Sequence, residues 1–239
     1  GSRIALPTGT SAVAKTLSDE LGEDFKHVER RLKRLELNYK AVYAVFIQAS
    51  LHRIRQWLNR NVLNAIYRIP FYGLFSSMNS INSRAFKNSK TTQIFNRFAT
   101  YNGSDPYRSP GMFNIIAHLE LNVGPFMPKG GMVSISNAIY KKAIELGVQF
   151  HFDSRIDEIL YSENMVKGVT SGGQMHECDI IVSNMDVHFT YEKLLPRLKG
   201  PEKILKQEKS TAAIVFYWGI RKSFDQLDVH NIFFSKDYE

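Results

Sequence analysis

The chain of 239 residues has a single cysteine, Cys178. It therefore contains no internal disulfide and no multi-cysteine metal site, and the plain role for Cys178 is a small buried residue on a strand. No apolar run approaches the roughly eighteen residues needed to cross a bilayer, and no cleavable signal opens the chain, so a cytoplasmic location is expected. GxSxG, HExxH, CxxC and the Walker loop are all missing, as is the GxGxxG fingerprint; a bound dinucleotide would find its pyrophosphate loop outside this chain. Histidines at 27, 52, 118, 151, 176, 188 and 230 lack ligand spacing, which argues against a metal. Acid is in deficit: 23 Asp and Glu face 31 Lys and Arg, for a formal charge of +8. That balance favours an anionic membrane surface, a phosphate-bearing cofactor or nucleic acid. No helix-turn-helix, RRM or zinc-finger pattern supports the last, so no nucleic-acid partner is expected.

What is present is a core-forming composition, 44% hydrophobic and 12% aromatic, enough for one large domain or two smaller ones. The first third has helical period. Val13, Leu17 and Leu21 keep helical spacing up to Gly22, a natural stop, and a longer helix starts near Glu23 and Asp24. Phe25, Val28, Leu32, Leu35, Tyr39, Val42 and Phe46 form its apolar seam, with Arg30, Arg31, Lys33 and Arg34 on a solvated face. Residues 51–75 put Leu51, Ile54, Leu58, Val62 and Ile66 on one side, Arg53, Arg60 and Asn64 on the other, and add Trp57, Tyr67, Phe71, Tyr72 and Phe75. This suits either an anionic bilayer interface or an ordinary core helix before a Pro70 turn.

Residues 126–156 read as a Pro/Gly turn, an amphipathic helix and a strand in succession. Gly130 and Gly131 permit positive φ or close approach to a ligand, Ser134 opens the helix, and Gly147 ends it. Strand patterns follow at 149–161, 165–170 and 180–183, with a Gly172-Gly173 hairpin signal, and again at 211–220 and 231–235. His118 and Glu120 have the chemistry for acid/base work, with a structural helix-end pair as the plainer alternative. Residues 3–7 look like half of a hairpin strand, and both ends look cut from a longer polypeptide.

Three stretches carry a family resemblance: YNGSDPYRSPGMFNIIAHLELNVGPFMPKGGMVSISNAIYKKAIELGVQFHFDSRIDEI, CDIIVSNMDVHFTYEKLLP and AIVFYWGIRKSFDQLDVHNIFFS. In this order, PKGGM, ELGV, SNMDVHFTYEKLL and YWGI resemble the bacterial phytoene desaturase type of carotenoid desaturase, in the amine-oxidase-like flavoprotein group. The resemblance implies an α+β or α/β fold: a helical and mixed-sheet substrate domain plus part of a Rossmann-like FAD-binding domain. Residues 1–125 would form the substrate and membrane-facing region, 126–204 part of the FAD-binding domain, and 205–239 strands returning to the substrate domain. It implies FAD as cofactor, a carotenoid polyene as substrate, desaturation by hydride transfer to the flavin, and peripheral membrane contact. Ile156, through its backbone, would pass the adenosine half of FAD; Asn184 and Asp186 would lie near the cofactor. Gly130, Gly131 and Tyr101 would face the flavin or substrate channel. No catalytic acid or base is assigned, and the chain alone is expected to be inactive. A related carotenoid isomerase or saturase, or a non-enzymatic lipid-binding module, is the alternative.

Overall fold

The computed structural model describes residues 3–48, 52, 54–207, 209, 213–228 and 230–235. They divide into two compact units, Gly1–Phe126 with Ser210–Glu239, and Met127–Lys209.

The first unit is helical. Helix α1, Thr10–Leu21, ends where Gly22 turns left-handed (φ 70°) and returns its N–H to Leu17 and Ser18 carbonyls. Asp24 then caps α2, Phe25–Val42, its Oδ1 accepting from His27 N at 2.6 Å. Two further helices, α3 (Ile54–Trp57) and α4 (Arg60–Tyr67), precede the single turn α5 (Ile69–Tyr72), α6 (Met78–Ala85), α7 (Ser89–Asn96) and the short α8 (Ile116–His118). The expected helical stretch across 51–75 is broken: Leu58 and Asn59 separate α3 from α4, and the Asn59 side chain caps α4. Leu51 and Arg53 lie outside the described residues.

The core gathers where α1, α2, α6 and α7 meet. Val13, Leu17, Val28, Leu32, Met78, Phe95 and Phe98 are all fully buried. Each side chain of this size contributes about 1.5–3 kcal/mol by leaving water. The expected seam of α2 holds at Val28, Leu32, Leu35 and Val42, but Phe25 stays partly exposed and Phe46 lies on the surface beyond the helix. Arg31, expected on the solvated face, is instead partly buried and bonded to Asn82 of α6. Buried Glu23 ties the α1–α2 corner to the start of α7, accepting Asn88 N at 2.9 Å and Lys87 N at 3.2 Å. Ahead of α1, residues 3–7 form no strand, so the expected hairpin half is absent.

The second unit contains α9, Val133–Glu145, and three strands after it: β1 (Glu158–Ser162), β2 (Met165–Ser171) and β3 (Gln174–Glu177), in an antiparallel β1-β2-β3 sheet. Ser171 pairs with Gln174 across Gly172 and Gly173, whose φ values of 55° and 81° fit the expected hairpin turn. Gly168 lies where a Cβ would come within 2.2 Å of the His176 carbonyl oxygen. Cys178 sits just past β3 and is half-buried.

The other expected strands are not formed among the described residues. Residues 149–156, 180–183, 213–220 and 231–235 form no strand, and Thr211 and Ala212 lie outside the described residues. Apolar alternation specifies an extended chain, but a strand needs a neighbouring backbone to pair with. Ile180 and Val182 accordingly remain 80% and 90% exposed. The face of α9 is similarly uncovered: none of its residues is buried.

Candidate functional site

In the second unit, residues from four segments line an open cavity of about 700 Å³. The approach to β1 contributes Arg155, Ile156 and Asp157; β2 contributes Val169; the stretch 181–185 and the following helical turn contribute Asn184, Lys193 and Leu194. Asp157 is tied down twice, its N–H donating to Thr170 O at 2.8 Å and its Oδ2 accepting from Gly172 N at 2.9 Å. Ser183 Oγ meets Thr190 Oγ1 at 2.9 Å and accepts from Met185 N at 3.3 Å, which ties this stretch to the helical turn that follows. Lys193 Nζ stands 4.8 Å from the centre of the Phe189 ring.

Ile156 and Asn184, two residues singled out from the sequence, thus line one cavity. Asp186 does not. Its Oδ1 accepts from His188 N at 2.8 Å, capping the short helix α10, Val187–Phe189. Gly130 and Gly131 belong to a hydrogen-bonded turn in which Gly131 N donates to Pro128 O at 3.0 Å, with φ of 90° and 81°. The glycines therefore meet a backbone requirement whatever else they do, and Ser134 Oγ donates to Gly131 O at 2.7 Å.

Tyr101 belongs to the first unit. Its hydroxyl donates to Glu120 Oε2 at 2.5 Å, while Arg97 Nη2 pairs with Glu120 Oε1. Arg97 is 8% exposed and its guanidinium lies 4.3 Å from the centre of the Phe98 ring. Arg97, Thr100, Tyr101 and His230 with Ile232, Phe233 and Phe234 line a cavity of about 400 Å³. No motif announces this cluster, because Arg97 and Glu120 come from different helical turns and meet only in the fold. His118 and Glu120 are parted by it. Glu120 faces Arg97 and Tyr101, whereas buried His118 contacts Asn122 Nδ2 at 2.9 Å and packs on Tyr39.

Residues 76–228 match the family model for flavin containing amine oxidoreductases, well over half of the chain. The chain belongs to that family. It is 40% identical over its whole length to a 1-hydroxycarotenoid 3,4-desaturase of Flavobacterium sp. (strain P99-3), covering 49% of that protein. It is 29% identical to a zeta-carotene-forming phytoene desaturase of Myxococcus xanthus, over 88% of this chain and 43% of the relative. A 4,4'-diapolycopene oxygenase of Methylomonas sp. is 33% identical over 69% of this chain and 33% of its own length. The chain thus spans about half the length of the first relative and less of the others. Family membership agrees with the expected oxidoreductase class and with FAD as the cofactor.

The second-unit cavity has chemistry suited to the adenosine half of such a cofactor. Ile156, Ile159, Val169 and Ile181 give an apolar wall for a flat base, Asn184 offers both donor and acceptor, and Arg155 and Lys193 bring positive charge for phosphate. Among the described residues, no cluster of His, Cys, Asp or Glu could hold a metal ion.

Proposed function

We propose that this chain works within a longer FAD-dependent oxidoreductase that introduces C=C bonds into a carotenoid polyene. The observation that carries the proposal is the convergence of Ile156 and Asn184 on one cavity with the charge and apolar wall a dinucleotide requires. The desaturase relatives supply the substrate class. In this reading, residues 126–204 hold part of the FAD, with Ile156 and its neighbours excluding water from the base and Arg155 and Lys193 balancing the pyrophosphate. Asp186, Gly130 and Gly131 shape the chain around that site, and residues 1–125 with 205–239 serve the substrate. Bound FAD would supply the two-electron acceptor that desaturation of a C–C bond requires.

The substrate is apolar, so a peripheral site on the cytoplasmic face of a membrane fits the surface of the first unit. Helix α4 buries Val62 and Ala65 but presents Leu63, Ile66 and Tyr67 outward, beside Leu58, Phe71 and Phe75, which is 97% exposed. Arg55, Arg60 and Arg68 accompany these side chains, a combination suited to anionic lipid headgroups. No described helix is long and apolar enough to cross a membrane. The test is purification of the full-length polypeptide with detergent or liposomes, followed by flavin absorbance and product analysis on several polyenes. New conjugated double bonds support desaturation; an isomerised or saturated product, or a protein without flavin, overturns it.

A further inference from the structure

We propose that α4 and α5, residues 60–72, form a flap pivoting at Gly73 that lifts away from α2 and admits an apolar substrate from the bilayer into the first unit. The assignment rests on the polyene substrate and membrane contact proposed above and adds the route between them.

The flap is held lightly from inside. Val62 and Ala65 of α4 pack with Val45, from the helical turn Tyr43–Ile47 that follows α2, in a small cluster separate from the main core. A polar tether adds to this: Asn38 Nδ2 of α2 donates to Phe71 O at 3.1 Å. Asn38 is 2% exposed, yet its Oδ1 has no hydrogen-bond partner among the described residues, and neither has the hydroxyl of buried Tyr72, next to Phe71. A face that stays closed strips water from such groups and returns no hydrogen bond, whereas a face that parts lets water reach them again. Sparse apolar contact and unsatisfied polar groups mark the low-stability part of a fold, from which lids are drawn.

Both ends of the flap suit a swing. Ahead of α4 the helix breaks at Leu58 and Asn59, and Asn59 is extended, with φ −79° and ψ 139°. After α5, Gly73 has φ 69°, and its carbonyl accepts from Gly111 N at 3.0 Å. Rotation about φ of Gly73 moves residues 60–72 while leaving that carbonyl in place, and glycine crosses regions of φ that other residues do not. The outward side of the flap carries Leu63, Ile66, Tyr67 and Phe71, so the moving element is the one that meets lipid. Lifting it exposes Val45, Val62 and Ala65, which gives a hydrocarbon chain an apolar step out of the bilayer and spares it a passage through water.

The experiments use the full-length, flavin-loaded protein. Before vesicles are added, amide exchange read by mass spectrometry should be at least about tenfold faster over 60–72 than over 28–42 of α2. Asn38→Ala should speed exchange over 60–72 by about a further tenfold without changing α1 or α7; a merely structural contact would speed all of them together. Val45→Cys with Val62→Cys, in a background without other cysteines, ties the flap down. The oxidised form of this variant should convert a polyene carried in anionic vesicles at least about tenfold more slowly than its reduced form, with equal flavin content. Equal conversion in the two forms overturns the flap, as does exchange over 60–72 that is as slow as over α2 and unmoved by Asn38→Ala. If the two cysteines do not pair, the exchange result decides. A wild type that converts no polyene counts against the reaction proposed above, and the flap then stands or falls on exchange alone.

Discussion

Arg31 Nη2 donates to Asn82 Oδ1 at 2.6 Å, joining α2 to α6 through an asparagine that is fully buried. Asn82 Nδ2 passes the contact to Asn96 Oδ1 at 2.9 Å, and Asn96 Nδ2 reaches Asn79 Oδ1 at 2.8 Å. Burial holds the pKa of the Arg31 guanidinium down to about 10, with Arg34 nearby adding to the effect. Its Nε makes no hydrogen bond, so the Asn82 contact matters more than an exposed one would. Asn82→Ala is expected to destabilise the fold by about 2–4 kcal/mol, because it removes the amide relay and leaves the cation poorly solvated. Urea unfolding measures this; a loss below about 0.5 kcal/mol would show that water replaces the amide without cost.

His118 should make stability sensitive to mild acid. Thr10 Oγ1 donates to Asn122 Oδ1 at 2.8 Å, which turns the Asn122 amide nitrogen toward His118 Nδ1. The ring is then an acceptor at Nδ1 and carries its proton on Nε2. Burial lowers its pKa below the usual value, Glu36 opposes the shift, and Lys40 reinforces it. Since the folded pKa lies below the unfolded one, the stability of the neutral ring is fully present above about pH 6.5 and is lost as pH falls through the folded value. His118→Gln, which does not titrate, should reduce the fall in urea midpoint between about pH 7.5 and 5.5. Equal pH dependence in the two proteins would remove His118 as its source.

Gly168 is a position where only glycine fits. Its φ is 149°, and an added Cβ would lie 2.2 Å from His176 O and 3.0 Å from the Glu177 Cα. The obstacle is backbone of the paired strand, which cannot swing aside as a side chain could. Gly168→Ala should cost about 2–3 kcal/mol and disturb the β2–β3 pairing, seen as faster amide exchange in β3. Unchanged exchange would mean that the pairing tolerates the clash.

The outward apolar face near α4 predicts vesicle binding. Replacing Leu58, Leu63 and Phe75 together by serine should weaken flotation with anionic vesicles by roughly tenfold or more, at little cost to folding, because these side chains are already exposed. Added salt should weaken the wild-type interaction as well, through screening of Arg55, Arg60 and Arg68. Binding that ignores both changes would assign this face to something other than a bilayer.

Charge at the second-unit cavity predicts flavin retention. Arg155→Glu with Lys193→Glu in the full-length protein should lower flavin affinity by roughly tenfold or more, since each replaces attraction to phosphate with repulsion. The flavin to protein absorbance ratio after dialysis measures it. Full retention would place the cofactor's phosphates elsewhere.

Much of the helical unit was legible in the sequence. The 3.6-residue period, Gly22 and Asp24 located α1, α2 and the corner between them, because capping and amphipathicity are local properties. Gly172-Gly173 located the hairpin for the same reason. The segments at 180–183 and 213–220 misled because their apolar residues record what a strand prefers while saying nothing of whether a partner strand is present. Around α4 the pattern was also incomplete: Val62 turns inward as expected of a core residue, but Ile66 on the helix and Leu58 ahead of it do not.

The sequence by itself determined the family, the helical and hairpin elements, and Ile156 and Asn184 as residues to watch, since ordered motifs and local periodicities survive without coordinates. Only the tertiary structure decided that those two share a cavity with Arg155 and Lys193, and that Arg97, Tyr101, Glu120 and His230 form a polar cluster against an apolar wall. The reason is physical: a turn or a cap is fixed by neighbours along the chain, whereas a buried ion pair and a cavity depend on the distances that packing creates between segments far apart in sequence.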